Sequence, residues 1–467
     1  MPTAAAATES GCVYSFGGGD IARGWHGRSG GAGPARRVQG VAAHVSIAAA
    51  SRNSLIGTTD GRILSWGHND SRGGGDAWFV KGGHSMAIPD SGQLGRPPTA
   101  GSPASAPGAV GGPLGDEGAM ALASGRYHAL AIGLRTGRVY SWGLNSHGQL
   151  GRAGWSDRPA RQTRVACERG ARCRDGTPLP LRMPTSPSGS ASPFLLATSI
   201  AAGRYFSIAV GVDGRVYAWG RCACGLSDGG LGDGAGGRTV ESTGDAPTDG
   251  RKPRMAGRRV YALRGGGLEN ERATAVAAGY AHILVLAASG ALYSCESGDD
   301  GYGGRLSTTT QFNAFGQLGR AGSPLVPRRV ASAPLGVAPP ALIAAGRCAS
   351  YVADAVGDVY SWGCAQASGH PPPERIAPER LESLRGRRVR ALAAGEYHAL
   401  AAPSEGPLLA WGAGATNGNA AGGVMAVSGL PAHRGTDVVA LAVGYQHNLV
   451  SLATCPAAAP PQHDQLR

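Results

Sequence analysis

The sequence predicts an all-β fold, a seven-bladed β-propeller of four-stranded antiparallel blades. Three observations carry that expectation. A unit of short, glycine-bounded strands recurs along almost the whole chain. Its internal spacing is nearly constant while the spacing between units varies. The two ends of the chain hold complementary fragments of one further unit.

The unit is clearest at residues 121–151, ALASGRYHALAIGLRTGRVYSWGLNSHGQLG. An apolar run ends in the turn Gly125-Arg126-Tyr127-His128. A second strand covers Ala129 to Leu134, a third covers Arg138 to Trp142, and a Gly-Gln-Leu-Gly turn follows at 148–151. Related units stand at 47–67, 200–220, 276–295, 343–363 and 392–412, with further Gly-Gln-Leu-Gly turns at 92–95 and 316–319. The turn glycine and the aromatic are 17 positions apart in 125/142 and 16 apart in 203/219, 279/295, 346/362 and 395/411. Position 295 carries Cys where the others carry Trp. Successive aromatic positions from Trp66 are 76, 77, 76, 67 and 49 residues apart. A constant core with variable spacers describes a repeat of roughly 50 residues with loop insertions.

Such units bury a core only against their neighbours, and radial repetition of four-stranded units gives a propeller. The ends settle closure. Residues 441–452 supply a first and second strand with no third after them, and residues 11–17 supply a lone third strand. Pairing them completes a seventh blade around Phe16 and covers the strand edges that an open array would leave. The expected organisation is a short disordered N-terminus at 1–10, one propeller over 11–452, and a disordered tail at 453–467. Insertions are expected near 68–91, 152–199, 221–272 and 296–315.

Composition bounds the class. Of 467 residues, 78 are glycine, which suits a chain of many tight turns. No run reaches the roughly 18 apolar residues of a membrane span, so no membrane span is expected. The N-terminus, MPTAAAATES, lacks the basic start and apolar centre of a secretory signal, and strand-like residues begin at Cys12. The nine cysteines are irregularly spaced, so reduced thiols in an intracellular protein are expected, in cytoplasm, nucleus or an organelle. A zinc site from Cys222, Cys224, Cys167 and Cys173 is disfavoured, because the usual spacer and a nearby histidine are missing. No metal and no cofactor is therefore expected. The net charge is +13, but only Lys81 and Lys252 are lysine. An arginine excess beside so much alanine and glycine reads as composition bias as much as a nucleic-acid surface.

The recurring residues resemble the regulator of chromosome condensation repeat family. Leu122 to Ile132 and Val276 to Leu286 match its Gly-x-x-His segment in full, and Leu392 to Leu400 and Leu441 to Leu449 match most of it. The Val-Tyr-x-Trp-Gly and Gly-Gln-Leu-Gly segments extend the likeness from about 11 to 452. The resemblance implies a seven-bladed propeller closed by its N-terminal strand. It also implies a role of the founding kind, guanine-nucleotide exchange on the small GTPase Ran, in which acidic loop residues engage the GTPase. The Gly-Trp-Arg-His-Thr motif of the family's ultraviolet-B photoreceptor does not occur here.

Most motif residues read as scaffold: Trp66, Trp142, Trp219, Trp362 and Trp411 as blade anchors, and His128, His282, His398 and His447 as hydrogen-bonded turn residues. Function is expected in the two residues that follow each turn glycine. These are Arg52-Asn53, Arg126-Tyr127, Arg204-Tyr205, Tyr280-Ala281, Arg347-Cys348, Glu396-Tyr397 and Tyr445-Gln446. They form a basic, tyrosine-rich ring with Glu396 as its one acid, and Arg and Tyr are common binding hot spots. The second candidates are basic segments. Residues 152–182, with Arg158, Arg161, Arg164 and Arg169, carry net +5; 251–272, with Arg258 and Arg259, net +5; and 375–390, net +4. No catalytic residues are assigned: neither a Gly-Lys-Ser/Thr phosphate loop nor a His-Glu-x-x-His motif is present. The expected function is a non-enzymatic, monomeric protein-binding propeller, a scaffold or regulator. The alternatives are an exchange factor with a small GTPase as partner, and chromatin or RNA association through the arginine segments.

Overall fold

The computed structural model describes residues 10–17, 33–41, 44–50, 53–67, 79–81, 84–86, 92–96, 104–145, 148–152, 174–183, 192–225, 258–297, 313–331, 335–336, 338–412, 423–431, 437–444 and 447–454. Seven four-stranded antiparallel sheets account for all but one short hairpin of the strands. Blade 1 is His44–Ala49, Asn53–Thr58, Ile63–Gly67 and Ala104–Ala109. Blade 2 is Ala119–Ser124, His128–Gly133, Val139–Leu144 and Arg174–Pro180. Blade 3 is Ala197–Ala202, Phe206–Gly211, Val216–Gly220 and Arg258–Ala262. Blade 4 is Ala273–Ala278, His282–Ala287, Leu292–Glu296 and Arg328–Arg329. Blade 5 is Pro340–Ala345, Ala349–Asp354, Val359–Gly363 and Arg375–Arg380. Blade 6 is Val389–Ala394, His398–Pro403, Leu409–Gly412 and Met425–Ala426.

Blade 7 is built from both ends of the chain. Val438–Val443 and His447–Thr454 come from one end, Ser10–Gly17 and Gly33–Arg37 from the other. The joining ladder runs from Ser10↔Thr454 to Gly17↔His447 and places Phe16 opposite Asn448, the register that Trp142 holds opposite Ala129. The N-terminal strand therefore closes the ring, and Phe16 is fully buried in the aromatic position.

Burial follows strand order. The first strands are only half-buried, as in Ala119–Ser124 and Val389–Ala394, because they line the central channel. The second strands are buried throughout, covered on both faces by neighbouring blades. First strands touch first strands around the whole ring. Seven apolar clusters fill the seven joints between successive blades.

The repeated motif is a clasp across those joints. The indole N–H of Trp142 donates to the carbonyl of Gln93 at 3.0 Å, that of Trp219 to Gln149 at 2.9 Å, and that of Trp362 to Gln317 at 2.8 Å. Each acceptor lies in the Gly-Gln-Leu-Gly turn of the preceding blade. The last glycine of that turn lies under the indole: a Cβ on Gly151 would stand 2.8 Å from Trp219, and one on Gly319 2.7 Å from Trp362. The histidines reach forward to meet the same network. His128 Nε2 lies 2.8 Å from Ser207 Oγ, which donates to Gln149 O. His282 repeats this through Ser350 to Gln317. His398 meets Asn448 Oδ1 at 2.7 Å, and His447 meets Ser54 Oγ at 3.0 Å. Burial holds His128 down to about 3 and His282 and His398 down to about 4, so these rings are neutral.

Two expectations are corrected. Reduced thiols are not the state of four cysteines: Cys224 is bonded to Cys295 and Cys348 to Cys364, with Cα separations of 6.0 and 5.4 Å that suit a disulfide. Cys224, bonded to Cys295, is not available as a thiolate beside Cys222, and no group of three metal-binding side chains occurs among the described residues. Cys167 and Cys173 lie outside them. The segments 152–199 and 221–272 are not single insertions either, since the fourth strands Arg174–Pro180 and Arg258–Ala262 interrupt them.

Candidate partner-binding face

Strand register decides what each rim carries. In blade 2, His128 at the start of the second strand pairs with Gly143 at the end of the third, and Leu144 N–H donates to Tyr127 O. The Gly-x-x-His turns and the connections from third to fourth strands therefore share one rim. Those connections are long in four consecutive blades: 68–103, 145–173, 221–257 and 297–327 in blades 1 to 4. In blades 5 and 6 they shrink to 364–374 and 413–424. The opposite rim carries the tight hairpins 59–62, 134–138, 212–215, 288–291, 355–358 and 404–408.

The turn glycines meet around the channel on the insertion rim. They are conserved in position within the chain for closeness rather than for left-handed backbone. A Cβ on Gly125 would lie 2.3 Å from Gly203 O, on Gly279 2.3 Å from Gly346 O, on Gly395 2.3 Å from Gly444 O, and on Gly444 2.3 Å from Ala50 O. Backbone bonds zip the turns together: Arg204 N–H to Tyr280 O at 3.3 Å, Tyr280 N–H to Gly346 O at 3.1 Å, and Arg347 N–H to Glu396 O at 3.2 Å.

The side chains that follow these glycines fold inward over the channel mouth. Tyr280 is their hub, with the guanidiniums of Arg126, Arg204 and Arg347 at 5.6, 4.5 and 5.1 Å from its ring centre. Arg126 also hydrogen-bonds the hydroxyls of Tyr280 and Tyr127, and Arg347 that of Tyr397. Glu396, from the far side of the ring, lies 3.7 Å from Arg126 and 3.9 Å from Arg347. Tyr127 and Tyr205 stack at 6.3 Å. Arg204 and Tyr205 are almost fully buried, whereas Arg347 keeps a quarter of its side chain exposed. The structure thus brings together Arg126, Tyr127, Arg204, Tyr205, Tyr280, Arg347, Glu396 and Tyr397. Arg52 and Tyr445 lie outside the described residues. The ladder places Asn53 opposite Gly67, the position that His128 holds in blade 2, so Asn53 belongs to the second strand of blade 1 rather than to the ring.

The basic segments are taken apart. Arg158, Arg161, Arg164 and Arg169 lie outside the described residues. Arg152 and Arg174 flank them on the insertion rim, but Arg182 lies over Phe194 with Arg138 at the hairpin end of the blade. Arg258 and Arg259 open the fourth strand of blade 3, with Arg258 opposite Gly220, whereas Arg272 bonds the carbonyls of Val212 and Asp213 on the other rim. Residues 375–390 are laced by ion pairs of Arg375 with Glu379, and of Arg380 and Arg385 with Glu382.

One set of residues was not anticipated. Arg96, Arg152 and Arg320 each follow a Gly-Gln-Leu-Gly turn and reach the third strand of their own blade, bonding the carbonyls of Ser65, Ser141 and Ser294. Burial lowers Arg320 to about 10. Their recurrence after the turn is the signal that could have found them, and it makes Arg152 part of the scaffold. A Gly-x-Ser-x-Gly spacing does occur, at 27–31 and 225–229. The first lies outside the described residues, and of the second only Gly225 is within them, bonded to Leu325 O.

Fold and motif together define a closed seven-bladed propeller whose joints are clasped by a Gly-x-x-His, Trp-Gly and Gly-Gln-Leu-Gly repeat. Family patterns described as regulator of chromosome condensation (RCC1) repeat match residues 121–149, 197–226 and 136–210. Over the residues these patterns match, the chain is similar to the RCC1 repeat family. The Protein RCC2 homolog of Danio rerio is 26% identical over 347 residues, covering 73% of this chain and 56% of the relative. The chain spans about half the length of the curated relatives of this name that it matches. Among solved structures, Prp20p of Saccharomyces cerevisiae superposes with a TM-score of 0.64 at 18% identity, covering 97% of this chain and 93% of that one. Human WBSCR16 superposes with a TM-score of 0.65 at 17% identity, covering 96% and 100%. No described helix is long and apolar enough to cross a membrane.

Proposed function

We propose that the protein is a non-enzymatic scaffold or regulator that docks a protein partner on its insertion rim. The observation that supports this most is the run of long connections in blades 1 to 4, which leave from and return to the rim that also carries the arginine and tyrosine mouth. Rigid strands hold variable loops on one side, the arrangement by which repeat folds present binding residues. The opposite rim offers short hairpins with apolar residues exposed singly, such as Leu134, Val212 and Val356.

The test is affinity purification from native cells with the full chain and a variant in which 153–173 and 226–257 become short linkers. Partners that depend on the insertion rim are lost from the variant while its melting curve is kept. If the same partners remain at the same level, the docking face is wrong. Prp20p, characterised for its binding to Gsp1p and histones, motivates a second reading, an exchange factor for a small GTPase. A nucleotide-release assay over small GTPases checks it, and no acceleration dismisses it. Glu396, the acid available for such a role in the ring, is here engaged with Arg126 and Arg347.

A further inference from the structure

The hairpin rim carries a groove of its own, between blades 5 and 6. It is lined by the starts of the two first strands, at 341–342 and 389–390, by the hairpin tips at 354–357 and 404–406, and by Arg388. Its volume is about 1110 Å³, room for an organic molecule rather than a lone ion. The end of the basic segment 375–390 reaches this groove. Earlier in that segment the arginines are paired: Arg375 with Glu379, Arg380 with Asp358 and Glu382, and Arg385 with Glu382. Arg387, Arg388 and Arg390 are exposed, and no carboxylate among the described residues pairs with them. The groove holds two carboxylates. Asp354 accepts the N–H groups of Val356 and Asp358 inside its own turn, at 3.1 and 2.9 Å, and Glu405 stands exposed at the next hairpin tip.

The backbone singles out Arg388. Its carbonyl accepts from Ser404 N–H at 2.9 Å, just before the first strand of blade 6. Gly118 does the same before the first strand of blade 2, accepting from Leu134 N–H at 3.1 Å. The two hold one position of the repeat, and both have positive φ, 80° at Gly118 and 51° at Arg388. Left-handed backbone suits glycine and costs any residue that has a Cβ. Blade 6 therefore carries a guanidinium at the groove in a conformation that glycine would adopt without strain.

We propose that this groove binds a small organic phosphate, with Arg388 and Arg390 on the phosphoryl oxygens and the apolar wall of Leu342 and Val356 against the organic part. Guanidinium forks stay charged and match phosphate geometry. Two of them on one groove suit the three oxygens of a phosphate ester, whereas a carboxylate is satisfied by one fork. Val356, 61% exposed, supplies apolar surface that a bare ion would leave unused. The site lies on the rim opposite the proposed docking face and does not depend on it.

Isothermal titration calorimetry of the full chain tests this at low ionic strength, where exposed charges are least screened. The probes are AMP, glucose 6-phosphate, their uncharged parents adenosine and glucose, and inorganic phosphate. At least one ester binds about tenfold more tightly than its parent and than inorganic phosphate. Arg388→Gly weakens that binding about tenfold yet keeps its melting temperature, because glycine takes the left-handed backbone freely. Arg390→Gln weakens it by a similar factor. Arg385→Gln, which removes a charge already paired with Glu382, changes it by less than about twofold. Four outcomes overturn the site: neither ester binds, inorganic phosphate binds as tightly as both, Arg388→Gly binds like wild type, or Arg385→Gln loses as much as Arg388→Gly. The last would reduce the effect to overall charge. An amidated Asp/Glu peptide that displaces the ester at equal concentration also overturns it and gives the groove to acidic protein.

Discussion

Two neighbouring joints of the ring are held by different chemistry. Between blades 2 and 3, the Trp219 indole bonds Gln149 O and rests on Gly151. Between blades 3 and 4, the aromatic position is Cys295, and the preceding turn reads Cys222-Ala223-Cys224-Gly225 instead of Gly-Gln-Leu-Gly. The sulfur of Cys224 is bonded to that of Cys295. Backbone bonds reinforce the same joint, Ala223 N–H to Ser297 O at 2.7 Å and Gly225 N–H to Leu325 O at 2.8 Å. What the ring maintains is therefore a link between the third strand of one blade and the turn of the blade before. An indole on a carbonyl meets that need, and so does a covalent bridge. Each of the two sequence changes is a loss alone, and together they are a replacement.

The comparison breaks first at the aromatic joint. Trp219→Ala removes a fully buried indole, and urea unfolding should show a cost of about 3–5 kcal/mol whatever the redox conditions. A loss below about 1 kcal/mol would mean that the joint collapses onto the gap and that the clasp is not what holds it. At the bridged joint the cost depends on the oxidant. Cys295→Ser should lose about 2–4 kcal/mol without reductant, since the bond closes a 71-residue span. With reductant, wild type should fall to the level of the variant. Wild type and variant unfolding together without reductant would show that the bridge does not form.

Much of this ring is legible in the sequence. The blades were legible because each repeats Gly-x-x-His and Trp-Gly at nearly fixed spacing, and the closing strand because residues 11–17 lack the partners that 441–452 lack in turn. Cys295 was legible only as a missing tryptophan. Its partner lies 71 residues back in a turn that departs from the pattern, and no spacing rule pairs cysteines. The ring residues were found as positions, but their inward fold was not. Arg126 meets Glu396 across the channel, a contact between distant parts of the chain that local patterning cannot encode. The basic segments misled for the opposite reason: charge summed along the sequence joined Arg174 and Arg182, which the fourth strand of blade 2 carries to opposite rims.

The smallest expected effect separates the joints by pH. His128 is buried and neutral, held down to about 3 by burial against 6.5 for a free imidazole. The unfolded chain therefore binds a proton that the folded chain does not, over the interval between those values. Stability is complete above pH 6.5 and falls as the pH drops towards 4, by about 1.4 kcal/mol per pH unit for each such histidine. Blade 3 shows what a joint does without this group, because Phe206 fills the same position with no exposure. His128→Phe should give the blade 2/3 joint the character of the blade 3/4 joint. It forfeits the contact with Ser207, whose hydroxyl keeps its bond to Gln149 O, for a cost at pH 7.5 of about 1 kcal/mol. Between pH 6 and 4 its stability should decline less steeply than wild type by about one proton, read from urea midpoints at each pH. Equal slopes would mean that His128 takes up its proton within the folded ring, and that the histidine joints yield to acid no sooner than the phenylalanine one.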